Sequence, residues 1–220
     1  MKRKFLICGG IVALILAVCI GVSFNKDADN EGSLKGKTEK TALGNDIFIT
    51  AIEPYTGSFV EDGTDEFVED VLSITIENNG SDDVQLMNVT IDGKYVFNVT
   101  TLLPGEKMVV LENSRAEYKG NINGEDVAVS NVAFFHEKPG MHEELLKITG
   151  EDNRITVKNI SGKVFPGGRV FYKNKFDGRY IGGITYAGTV PELKKDETVV
   201  LNAAHYFKES SEFVFVTYAE

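Results

Sequence analysis

From Val71 to Glu77 the chain alternates, with Leu72, Ile74 and Ile76 on one side and Val71, Ser73 and Thr75 on the other. A period of two belongs to a half-buried strand, because successive side chains point to opposite faces. Comparable strand-like runs recur at Val84–Ile91, Lys94–Val99, Lys107–Leu111 and Val127–Phe135. They return at Leu145–Thr149, Arg154–Lys158, Arg169–Phe176, Arg179–Tyr186, Thr198–Leu201 and Glu212–Tyr218. Ile47–Ile52 opens the series as a strand that Pro54 should stop, since proline cannot donate to a ladder. The hydrophobic pattern therefore predicts an all-β fold.

Turn chemistry separates these runs. Asp92-Gly93 and Asp177-Gly178 each sit between apolar alternations, a strong hairpin signal, because a type I′ turn needs positive φ at both central residues. With two-residue loops, Val89, Ile91 and Val96 would share one face of the first hairpin, and Tyr95 and Phe97 the other. In the second hairpin Val170, Tyr172, Phe176 and Ile181 would share a face. Gly182-Gly183 predicts a bulge or a close backbone approach; no helix follows to make it a phosphate loop.

The pattern is written twice. Ile74 through Asn78-Asn79-Gly80 matches Ile155 through Asn159-Ile160-Ser161-Gly162 at an offset of 81. Asp92-Gly93-Lys94-Tyr95 matches Asp177-Gly178-Arg179-Tyr180 at 85, and Leu103 matches Leu193 at 90. Landmarks in one order with a slowly growing offset indicate duplication with loop insertions. About seven short strands per copy, without an amphipathic helix, are the signature of an immunoglobulin-like sandwich. The expectation is two tandem Ig-like antiparallel β-sandwich modules, at 41–137 and 141–220. Between them Lys138-Pro139-Gly140 breaks structure.

The first forty residues are different. Phe5 to Phe24 holds twenty residues without a charge, close to what a helix needs to cross a bilayer. Lys2, Arg3 and Lys4 precede it, so the bulk of the chain should face outside. Residues 1–24 thus read as an N-terminal transmembrane helix, in preference to a cleaved secretion signal, which would have a shorter core and a small-x-small site. A lipid-modified Cys19 fits less well, with Val18 before it. Residues 25–40 contain one large apolar side chain, Leu34, and alternating charge; they read as a solvated flexible tether.

Charge and cysteine content exclude some functions. The formal net charge is −10, and beyond residue 24 it is 20 basic against 33 acidic residues, or −13. That argues against nucleic-acid binding, which needs clustered Lys and Arg. Both cysteines, Cys8 and Cys19, precede the β region, which therefore has neither disulfide nor thiolate ligand.

Candidate chemistry is sparse. Glu61, Asp62, Asp65, Glu66, Glu69 and Asp70 crowd between the first two predicted strands. Asp62, Asp65 and Glu66 are calcium candidates, because calcium takes several oxygen ligands; the spacing is not that of an EF-hand, and a solvated acidic loop is the simpler reading. His136 and His142, near Glu137, Glu143 and Glu144, match no zinc spacing. Arg169, Tyr172, Lys173, Arg179 and Tyr180 form the one basic-aromatic patch, a candidate interaction face. The competing reading places alternate aromatics in the core with the basic residues solvated. No nucleophile–base pair or metal motif is present, so no catalytic activity and no cofactor is expected.

The Asn turn, the Asp-Gly-x-Tyr hairpin and Leu103-Pro104-Gly105-Glu106 resemble the small extracytoplasmic Ig-like modules that one helix tethers in Gram-positive bacteria, of the FxLYD-like and CARDB-like kind. The second copy departs from that frame, with Leu193-Lys194-Lys195-Asp196 in place of Leu-Pro-Gly-Glu, and no Phe-x-Leu-Tyr-Asp string occurs. The resemblance implies a surface protein of the cell membrane that binds a protein or envelope component, or that acts as a spacer, without catalytic residues.

Overall fold

The structure, a computed structural model, describes residues 40–120, 122 and 126–218. The predicted anchor, Phe5–Phe24, and nearly all of the predicted tether lie outside the described residues. Every regular element described is a strand. In chain order these are β1 (Thr41–Gly44), β2 (Ile47–Phe59), β3 (Glu66–Asn78), β4 (Val84–Ile91), β5 (Tyr95–Leu102), β6 (Lys107–Leu111) and β7 (Val127–Phe134). There follow β8 (Leu146–Glu151), β9 (Arg154–Asn159), β10 (Gly168–Phe176), β11 (Arg179–Val190), β12 (Thr198–Asn202) and β13 (Ser211–Tyr218). The all-β expectation holds, in a β-sandwich-like arrangement of several sheets.

The strands form one seven-stranded sheet, β1-β2-β3-β6-β11-β10-β13, and two three-stranded sheets, β5-β4-β7 and β12-β9-β8. The neighbour orders repeat. β2-β3-β6 with β5-β4-β7 becomes β8-β9-β12 with β11-β10-β13 when six is added to each strand number. The central sheet therefore joins one sheet of the first set to the opposite sheet of the second. The join is a short parallel pairing of β6 with β11, Met108 opposite Tyr180 and Val109 opposite Ile181.

Alternation along β6 assigns the cores. Met108 and Val110 pack with Met87, Val89, Ile91, Phe97 and Val99 of β4 and β5. Val109 and Leu111 point the other way and pack with Phe59, Val60 and Val71. On β10, Val170 and Tyr172 pack with Ile155, Val157 and Leu201 under the β12-β9-β8 sheet. The two small sheets thus cover opposite faces of the central one.

Three expectations are corrected. The β4–β5 turn spans Asp92–Lys94, not two residues, because Ile91 pairs with Tyr95. That shift of one residue reverses the face assignment: Val89, Ile91 and Phe97 are buried together, while Val96 is on the other face. The β10–β11 turn does hold two residues, Asp177 (φ 50) and Gly178 (φ 74), with Phe176 opposite Arg179. There Val170 and Tyr172 are buried, while Phe176, the last residue of β10 beside the turn, is exposed. Pro54 does not end β2, which continues to Phe59. Pro54 is tolerated because β1 covers only Ile47, Phe48 and Ile49, so β2 is an edge at Pro54.

Candidate functional site

Glu61, Glu106, Lys173 and Tyr180, each largely withdrawn from water, lie where β6 meets β11. The bulge at Gly182-Gly183 creates the place. Between Tyr172 and Asn174 on β10, the partner jumps from Tyr186 to Ile181, so four residues of β11 oppose Lys173 alone. β11 swings away from β6 after Ile181, and the parallel ladder ends there. Amides along the divergence need other acceptors, since a buried N–H without a partner is costly.

Glu61 supplies the acceptor. Its Oε1 accepts from the backbone N–H of Leu111 (2.8 Å) on β6 and of Gly183 (2.9 Å) on β11. Its Oε2 also lies 3.0 Å from the Gly183 nitrogen. One carboxylate thus splices two diverging strands. The glycines make room: a Cβ on Gly182 would lie 2.3 Å from Val60 Cγ2, and one on Gly183 would lie 1.7 Å from the Asn98 carbonyl oxygen.

On the other side of the sheet lies Lys173, only 1 % exposed. Its Nζ donates to the Thr100 carbonyl on β5 at 2.6 Å and lies 3.8 Å from Met108 Sδ. Desolvation pushes the ammonium pKa down to about 7, opposed by the negative charges of Glu106 and Glu61. Desolvation likewise pushes Glu61 up to about 7, against the amides of Gly183, Leu111 and Ile184 and the charge of Lys173. Glu106 is also raised by burial, although it accepts from the Leu103 amide (2.7 Å) and bonds Tyr180. Tyr180 is raised by burial beside Glu106 and Glu212. A cavity of about 180 Å³ opens beside this group, lined by Gly105, Glu106, Lys107, Lys175, Gly178 and Tyr180.

The proposed basic-aromatic face is dispersed by this arrangement. Tyr172, Lys173 and Tyr180 are each no more than 3 % exposed and so cannot meet a surface partner. Tyr172 lies in the second core, with burial pushing its hydroxyl up to about 12. Arg179 is half-buried, 3.5 Å from Glu53. Arg169 alone is exposed, with its guanidinium 5.3 Å over the Phe171 ring. Odd positions of β10 turn to one face and even positions to the other, and the β5-β4-β7 sheet covers much of the odd face as well.

The acidic segment is also divided. Arg115 takes Asp62 (2.7 Å) and Glu66 (2.5 Å) together. Asp65 instead accepts from His205 Nδ1 at 2.7 Å, across 140 residues of sequence. Glu69 and Asp70 are in β3. Among the described residues no group of three or more His, Cys, Asp or Glu is arranged to hold a metal ion. His142 packs edge-on against Tyr218 at 4.9 Å and lies 3.4 Å from Glu144.

Sequence reasoning missed Glu61 as a splice and Thr100, Glu106 and Gly183 as its surroundings. The available signal was Gly182-Gly183 in a strand, which marks close approach without naming what approaches. No family model, curated protein or solved structure matches the chain.

Proposed function

We propose that this chain is a membrane-anchored extracytoplasmic binding or accessory protein with no catalytic activity of its own, built from two Ig-like sandwiches. The supporting observation is the splice at Glu61, which joins the two strand sets through a single sheet. A joined pair of sandwiches holds its surfaces at a fixed spacing, which lowers the ordering cost when a partner binds. The uncharged run Phe5–Phe24 behind a Lys-Arg-Lys start supports an anchor, and the repeated strand order supports the resemblance to tethered surface modules.

The partner is a protein or an envelope component. The surface that best suits it carries Arg169 with half-buried Phe171 and Phe135. Phe171 stacks on Phe215 with centroids 4.2 Å apart, and Phe135 meets Phe215 edge-on at 5.2 Å. Arginine beside an aromatic stack is the composition of an interface centre.

The test is affinity purification of the full chain, cross-linked in its own membrane, against an anchor-only control. A specific complex that is lost on Arg169→Glu supports the reading. No enrichment over the control favours the alternative, a structural spacer. The spacer reading predicts that unrelated sandwiches of equal length substitute for residues 41–220.

A further inference from the structure

We propose that the seam between β6 and β11 is a proton-operated joint: proton uptake or loss at Glu61 and Lys173 changes how firmly β11 is held to β6. This goes beyond the binding reading and does not depend on it.

Geometry carries the proposal. The parallel ladder has two residue pairs, after which the Leu111 and Gly183 amides meet only through the Glu61 carboxylate. A carboxylate offers two accepting oxygens; a carboxylic acid gives one of them a proton and turns it into a donor. Protonation of Glu61 therefore rewrites the bonds across the seam. Lys173 Nζ, on the opposite face, holds β10 to the Thr100 carbonyl of β5 and is buried with no carboxylate in contact. The ionisable groups facing this pair come from every neighbouring element. They are Tyr55 from β2, Asp65 from the β2–β3 turn, Glu106 before β6, Lys175 from β10, Tyr180 and Tyr186 from β11, and Glu212 from β13. Lys175 is paired with Glu212, Asp65 with His205, and Lys107 with Glu77. Among the described residues neither Glu61 nor Lys173 has a private counter-ion.

The direction of the pH effect follows from linkage. Glu61 is raised from 4.5 to about 7 in the fold. Its contribution is fully present below the unfolded value and is lost as pH rises through about 7. Lys173 is lowered from 10.5 to about 7. Its contribution is fully present above the unfolded value and is lost as pH falls through about 7. Neutralising either group weakens its hydrogen bonds but relieves a buried charge, and desolvation is the larger effect on both, so the joint is loosest near neutral pH and tightens on either side. Glu106, raised by burial, strengthens the acid limb.

The test is amide hydrogen exchange of the full chain at about pH 5.5, 7 and 9, corrected for intrinsic rates and read at Leu111, Gly183 and Ile184. Protection should be lowest near pH 7 and rise about tenfold or more on each side. Glu61→Gln should flatten the acid limb only, and Lys173→Met the alkaline limb only. A flat wild-type profile, or both limbs surviving in both variants, overturns the proposal. Should a variant fail to fold, the Glu61 carboxyl resonance of the wild type decides. A midpoint near 7 supports the joint, and one near the ordinary glutamate value overturns it.

Discussion

The hydroxyls of Thr100 on β5 and of Thr185 in the β11 bulge lie 2.9 Å apart. The contact is reciprocal: Thr100 Oγ1 donates to the Gly183 carbonyl (2.8 Å), and Thr185 Oγ1 donates to the Thr100 carbonyl (3.1 Å). β5 thus packs against the bulge of β11, its counterpart in the second strand set.

If that contact holds the copies together, the two threonines are coupled. Thr100→Val and Thr185→Val should each destabilise by about 1 kcal/mol. The double variant should cost less than the sum by about 0.5 kcal/mol or more. Chemical denaturation of the four proteins measures this, and strict additivity would show the contact to be incidental.

Asn78 and Asn159 hold equivalent positions, at the ends of β3 and β9, and both are fully buried. Asn78 Nδ2 donates to the Asp82 and Leu102 carbonyls, and its Oδ1 accepts from the Gly80 amide. Asn159 Nδ2 donates to the Lys163 and Leu193 carbonyls, and its Oδ1 accepts from the Ser161 amide. Either Asn→Ala change removes the buried side-chain bonds that close its turn and should cost about 2–4 kcal/mol. Asn→Asp, which replaces the donating amide by an acceptor facing carbonyls, should cost at least as much, and thermal unfolding would report both.

The glycines of the bulge should be intolerant in a graded way. Gly183→Ala places Cβ against a backbone oxygen, which cannot rotate aside, and should cost about 3 kcal/mol or more or prevent folding. Gly182→Ala meets Val60 and also has φ +86, and should be nearly as costly. Gly178→Ala, at φ +74 with open space around its Cβ, should cost about 1 kcal/mol. Denaturation midpoints in this order would support the splice geometry, and equal tolerance at all three would refute it.

Asp62 titrates low, at about 2, chiefly because the Thr64 hydroxyl and amide donate to it, and secondarily because of Arg115. Its stabilising contribution is present above the ordinary aspartate value and is lost as pH falls toward 2. Thr64→Ala, which removes the hydroxyl bond but keeps the amide bond, and Arg115→Leu should each raise the Asp62 midpoint, as read by carboxyl NMR titration. Because Arg115 occupies Asp62 and Glu66, millimolar calcium should leave the melting temperature of the wild type unchanged. A clear upward shift would restore the calcium reading of Asp62, Asp65 and Glu66.

The strands and turns were legible locally. Leu72, Ile74 and Ile76 read as one inward face and are all fully buried, but Val71, Ser73 and Thr75 on the other face are buried as well, so β3 is covered on both sides and is not the half-buried strand its alternation implies. The repeat landmarks were legible too, with one slip: the buried Asn pair addresses Leu102 and Leu193, and Glu106 and Glu197 cap Leu103 and Lys194, so the last offset is 91 (193 − 102), not 90. The sequence pattern could not see a turn one residue longer than the type I′ rule, and so misassigned Val96.

What the chain alone determined is its strands, its turn chemistry and its doubled plan, because alternation and positive φ are properties of neighbouring residues. What only the tertiary structure decided is which strand edges meet. Lys173 looked like a solvated base beside aromatics, and Glu61 like one of six solvated acids. Pairing β6 with β11 buried the first and drew the second into the gap. Burial and hydrogen-bond partners across 50 or 122 residues are fixed by the packing of whole sheets, not by local pattern.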